Sequence, residues 1–167
     1  MHFFGSYEGL REARTAVVTS PLVPIDEREV PNDTTGHQYF IKTDNQLRGG
    51  QSVAVRYRFD GEKEVGDNIG DFATRSLGLD AYRRDQDVVG NHTVVLTARA
   101  LNEFRFQFSR RKVWWDPDDY SPPGTPFIDR PSGDFGKASN MPQGRREHRY
   151  QFIENFTSIR GTHDLKA

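Results

Sequence analysis

The sequence predicts an all-β chain: an antiparallel meander of about six or seven strands, with its long connections gathered at one end. Three observations carry that expectation. Phe104, Phe106 and Phe108 alternate with Glu103, Arg105, Gln107 and Ser109 within residues 102–111. Val53, Val55, Tyr57 and Phe59 alternate in the same way with Ala54, Arg56, Arg58 and Asp60. Successive side chains of a strand point to opposite faces, so each segment has one apolar and one polar face. Third, long stretches rich in Gly, Pro and Asp take turns with connections of a few residues, which punctuates the chain into hairpins.

The elements follow in order. Residues 1–11 carry H-F-F-G-S-Y-E at positions 2–8 and read as a strand, and residues 15–36, with Pro21, Pro24 and Pro31, read as a long loop. Residues 38–47 set Tyr39 and Ile41 against Phe40 and Lys42, and R-G-G-Q at 48–51 is a short turn into the strand 52–60; paired glycines suit a tight hairpin. Residues 61–84 are polar and Gly- and Asp-rich and read as a second long loop. A strand at 87–96 leads through a short connection at 97–101 into the Phe-alternating strand. Residues 113–146 hold Trp114, Trp115, Tyr120, Phe127 and Phe135 and read as a third long loop, before a strand at 148–160 and a Gly161–Thr162 turn.

A soluble sandwich has no reason to sort its loops by length. Outer-membrane barrels do, with short periplasmic turns and longer extracellular loops. The composition agrees. Mean hydropathy is −0.80, yet twelve Phe and six Tyr supply apolar surface in rings. A barrel needs only every second strand residue to be apolar, so a low average is compatible with a membrane location. No apolar run approaches the roughly 20 residues of a spanning helix. The formal net charge is −1 with 23 basic and 24 acidic residues interspersed, which points away from nucleic acid as a partner. There is no cysteine, so thiolate metal sites and disulfides are excluded and the compartment stays open.

Several segments resemble the barrel region of TonB-dependent outer-membrane receptors, in particular the Oar-like branch, whose full form carries a carboxypeptidase-regulatory-like domain. They are F-F-G-S-Y-E-G-L-R near the start, T-D-N-Q-L before a turn, S-V-A-V-R-Y-R-F-D after it, V-V-G-N-H-T-V-V-L-T-A-R-A-L-N-E-F-R-F-Q-F-S-R, and the stretch from P-Q-G-R-R-E-H-R to the end. The resemblance covers most of the chain and fades in the long loops. It implies that residues 1–167 form a partial, incomplete segment of a transmembrane β-barrel, without the signal peptide or plug of the parent. For the parent it implies energised uptake or surface binding of a bulky, unknown ligand, with the TonB energising complex reached through the plug and outer-membrane lipid around the barrel.

The five histidines are scattered, without metal-ligand spacing. Asp116, Asp118 and Asp119, and Asp67 with Asp71, could take calcium, but neither set follows the twelve-residue loop pattern, and a solvated acidic loop is the favoured reading. No phosphate loop or nucleophile elbow occurs, so neither a cofactor nor an enzymatic activity is expected. Val53, Val55, Tyr57, Phe59, Phe104, Phe106 and Phe108 are either lipid-facing or the core of a soluble sheet. The first is favoured because Arg56, Arg58 and Arg105 on the reverse side need water. Trp114, Trp115, Tyr120 and Phe127 form either an interfacial girdle or a ligand-stacking loop. The rival to the barrel segment is a soluble extracellular all-β module that binds a glycan.

Overall fold

In the computed structural model, which describes residues 1–118, 120 and 124–167, the chain runs through nine strands. They are β1 (His2–Glu12), β2 (Thr15–Val17), β3 (Glu29–Pro31), β4 (Thr34–Leu47), β5 (Gln51–Asp67), β6 (Leu79–Thr97), β7 (Ala100–Pro117), β8 (Gln143–Arg160) and β9 (His163–Lys166). Seven of them make one sheet in the order β1-β4-β5-β6-β7-β8-β9, and β2 and β3 pair as a small ribbon. Every neighbouring pair in the large sheet is antiparallel. The meander is open: β1 and β9 are its edges. The described residues include two single 3-10 turns, Ile25–Glu27 and Arg75–Leu77, and no α-helix.

Short turns at residues 48–50, 98–99 and 161–162 all lie at one end of the sheet, and the long connections 13–33, 68–78 and 118–142 at the other. The tightness of the first turn comes from Gly49 and Gly50, whose φ values are +73° and +70°; a side chain at either would meet the left-handed penalty.

The strands are longer than the periodicity indicated. β5, β6, β7 and β8 have 17, 19, 18 and 18 residues. The expected loop over 61–84 is strand up to Asp67 and again from Leu79, and the expected loop over 113–146 is strand up to Pro117 and again from Gln143. The first long loop is likewise shorter, because β4 begins at Thr34. In these outer portions charged residues occupy both faces, which erases the period-two signal. The backbone ladder continues regardless, held by cross-strand ion pairs such as Lys63–Asp80 at 3.0 Å and Arg83–Glu62 at 3.4 Å.

Burial is greatest at the loop end. Val18, Val30, Leu77 and Leu79 are buried there, together with Ser20, Thr34 and Thr74. Backbone bonds tie the three long loops to one another. Thr19 N–H donates to Asp71 O at 2.6 Å, Asp71 N–H to Val17 O at 3.0 Å, and Asp134 N–H to Phe72 O at 2.8 Å. Side chains add to this: Ser20 Oγ donates to Ser132 O at 2.6 Å and Thr74 Oγ1 to Asp134 O at 2.7 Å. The loops therefore form one folded cap, held by hydrogen bonds that cross from one loop to the next.

Candidate membrane and ligand surfaces

Register assigns every strand residue to a face, because directly paired residues lie on the same side. Phe104 pairs with His92 and His92 with Val53; Phe106 pairs with Gly90 and Gly90 with Val55; Phe108 pairs with Val88 and Val88 with Tyr57. Phe104, Phe106, Phe108, Val53, Val55 and Tyr57 thus share one face, and Phe59 continues it. The same rows extend outward to Phe152 and Tyr150 on β8 and to Thr43, Ile41 and Tyr39 on β4. Phe3 and Tyr7 of β1 complete them. Rings in adjacent strands touch: Phe106–Phe152 at 5.1 Å, Phe108–Tyr150 at 5.0 Å, Tyr39–Phe59 at 5.7 Å and Tyr7–Tyr39 at 4.9 Å between centroids. Each such cross-strand contact contributes roughly 0.5–1.5 kcal/mol. No second sheet among the described residues covers this band; Val55, Phe104, Tyr150 and Phe152 are exposed, and Val53, Tyr57, Phe59, Phe106 and Phe108 are half-buried by their neighbours in the sheet.

The reverse face is charged. Arg58 pairs with Asp60 at 3.1 Å, Arg111 with Asp85 at 3.4 Å, and Arg145 with Glu147. Ser109 donates to Asp87 and Arg105 to Asn91. Asp85, Asp87, Ser109, Arg111, Glu147 and Arg149 line a hollow of about 270 Å³ on this side. Such a surface needs water or a polar partner, because unpaired charges are costly in an apolar medium. Leu79 and Thr34 belong to this polar face and are nevertheless buried, so the loop cap leans over it.

Beyond the apolar band, toward the loops, the character of the first face changes. Arg84, Lys112 and Arg146 are directly paired across β6, β7 and β8, and Tyr82, Trp114 and Gly144 form the next row. Trp114 leans over Gly144 and stacks with Lys112, whose amine is 5.7 Å from its ring centre.

The loops themselves frame a cleft of about 360 Å³. Its walls are Leu22, Val23 and Pro24 from the first loop, Thr74, Arg75 and Ser76 from the second, and Tyr120 and Phe135 from the third, with Asp26, Glu27 and Glu29 on its rim. Arg75 lies over the Tyr120 ring at 4.6 Å. At the foot of the first loop Arg14 donates to Glu12 at 2.7 Å, and this hydrogen bond raises the guanidinium pKa above its ordinary value. Aromatic, cationic and acidic groups in one niche can bind a polar ligand that also presents a flat apolar patch.

The four aromatic residues grouped by the sequence are separated by the structure. Trp114 stands on the apolar face at its loop-side edge. Trp115, the next residue of the strand, is turned to the polar face, where it lines a second hollow with Arg111, Arg145 and Glu147. Adjacent strand residues cannot share a face, so the two do not form one girdle. Tyr120 belongs to the loop cleft, and Phe127 is exposed elsewhere in the third loop. The cleft residues Asp26, Glu27, Glu29 and Arg75 were not singled out from the sequence; the acidic run P-I-D-E-R-E was the available signal. Asp118 accepts from Tyr120 N–H at 3.1 Å, Asp116 lies on a strand, and Asp119 falls outside the described residues. Among the described residues no group of three or more His, Asp or Glu side chains is arranged to hold a metal ion.

Residues 27–167 match a family model described as an outer membrane beta barrel domain. No curated protein and no solved structure matches the chain.

Proposed function

The chain belongs to the outer membrane beta barrel domain family, and from that membership we propose that it supplies wall strands and part of the ligand mouth of a TonB-dependent, Oar-like receptor. The protein resides in the outer membrane, with the aromatic band of its large sheet against lipid and the charged face toward the lumen. Short turns are then periplasmic and the cap extracellular. Open edges are not tolerated in hydrocarbon, so β1 and β9 pair with further strands in the membrane. The reading assigns no catalysis to the segment.

The observation that supports a receptor most directly is the folded cap. Strands of 17–19 residues are roughly 58–65 Å long at about 3.4 Å per residue, well beyond what crosses the bilayer. The excess raises three hydrogen-bonded loops and their cleft clear of the membrane, as presentation of a binding site to a bulky ligand requires. The notion of a soluble glycan-binding module fits less well, because such a module buries its apolar face against a second sheet.

Growth tests the proposal. Cells with and without the intact gene are grown on protein or polysaccharide as the limiting nutrient, in backgrounds with and without the TonB complex. A growth defect common to both deletions supports energised uptake. Growth that depends on the gene but is indifferent to TonB overturns it.

A further inference from the structure

We propose that the loop-side edge of the apolar face binds an anionic lipid of the outer leaflet, holding its headgroup phosphate on Arg84, Lys112 and Arg146. The inference rests on the membrane placement given above and adds a specific lipid contact to it. Arg84 pairs directly with Lys112 and Lys112 with Arg146, so three like charges lie side by side on adjacent strands. Like charges directly opposite one another destabilise a sheet, and among the described residues none of the three has an ion-pair partner. The neighbouring Lys63 is different: its amine is matched by Asp80 at 3.0 Å. A row of unmatched cations is therefore a standing attraction for an anion.

Its position selects which anion. Arg84 and Lys112, with Tyr82, Trp114 and Asp116, line a cleft of about 260 Å³ that opens on the lipid-facing side. Within the cleft two cations outweigh one acid, and the exposed Arg146 adjoins it. Arg110 lies one row nearer the membrane centre, and below it come the Phe108–Tyr150 and Phe106–Phe152 contacts. Cations above and an aromatic band below match a molecule with a phosphate on top and acyl chains beneath. A free anion would use the upper half alone. The ends of the sheet agree, since the row lies on the loop side, which faces the outer leaflet.

The test uses protein extracted from outer membranes in phosphate-free detergent and titrated with diphosphorylated lipid A. Phosphatidylcholine and inorganic phosphate are separate arms. Binding is read as the difference in indole emission between a Trp115→Phe background and the same background carrying Trp114→Phe, which isolates the signal of Trp114. Replacing Arg84, Lys112 and Arg146 together by Gln should weaken lipid A binding by about tenfold or more, given the attraction of each cation to anionic lipid. A variant carrying Arg84→Lys and Arg146→Lys keeps the charge and should bind like the wild type. Arg83→Gln with Arg111→Gln, on the polar face, should also leave binding unchanged. Unaltered binding by the triple variant overturns the proposal, as does a loss of equal size in the polar-face variant. Equal affinity for inorganic phosphate overturns the lipid in favour of a free anion, and equal affinity for phosphatidylcholine overturns the role of charge. Partition of the wild type into a detergent phase reads the membrane placement separately: failure there defeats the underlying reading, and partition without the variant effect defeats only the cation row.

Discussion

At the scale of single residues, the contact between Trp114 and Gly144 shows how much one missing side chain can decide. An added Cβ at Gly144 would collide with Trp114 Cε3, so the indole lies where any other residue's Cβ would be. An aromatic ring that covers a cross-strand glycine compensates for the poor packing of that glycine. Gly144→Val should therefore expel the indole from its place, lowering stability by about 1 kcal/mol through the lost cross-strand contact. Near-ultraviolet circular dichroism and the urea midpoint in detergent check this; an unchanged indole signal would show that Trp114 does not depend on Gly144. The ring-on-glycine contact was invisible in the sequence, because Trp114 and Gly144 are thirty positions apart and only the β7–β8 register makes them partners.

At the scale of elements, each strand of the sheet has two unequal faces, and substitutions should report which is which. Phe106 lies in the middle of the aromatic band, while Gln107, the next residue, faces the charged hollow. Phe106→Arg should destabilise the protein by roughly 2–4 kcal/mol, the cost of a cation near the bilayer midplane. Gln107→Arg should be tolerated. Folded yield in outer membranes and urea unfolding in vesicles compare the two, and equal tolerance would remove lipid from the apolar face. The hairpin ends differ as well. Ile25 in the first long loop is 82% exposed, and Arg99 lies in a two-residue turn at the opposite end. The chain has no native cysteine, so single substitutions can be labelled cleanly. A membrane-impermeant maleimide should react with Ile25→Cys in intact cells and spare Arg99→Cys; the reverse pattern would invert the orientation.

For the molecule as a whole, the open sheet sets the behaviour. Two strand edges and a broad aromatic face are left uncovered, and such surfaces associate in water. Produced alone as these 167 residues, the chain should aggregate in buffer, disperse in detergent and conduct no ions across a bilayer. Analytical ultracentrifugation and planar-bilayer recording decide. A soluble, monodisperse monomer with a cooperative thermal transition would return the binding module to favour.

The sequence by itself determined the all-β meander, the position of its short turns and the identity of the apolar band, because alternation along a strand is local and survives without any knowledge of partners. It also located the three long loops, though too generously. Beyond the apolar band charged residues occupy both faces, so hydrogen-bonded backbone continues without a period-two hydrophobic signature. Only the tertiary structure decided what lies across from what. It united the two apolar segments through Val88, Gly90 and His92 of β6, turned Trp115 away from Trp114, and drew Arg75 and Tyr120 into one cleft. It also set Arg84, Lys112 and Arg146 in a row. Those relations depend on register between distant strands and on hydrogen bonds between loops, and neither is written in the spacing of residues along a single segment.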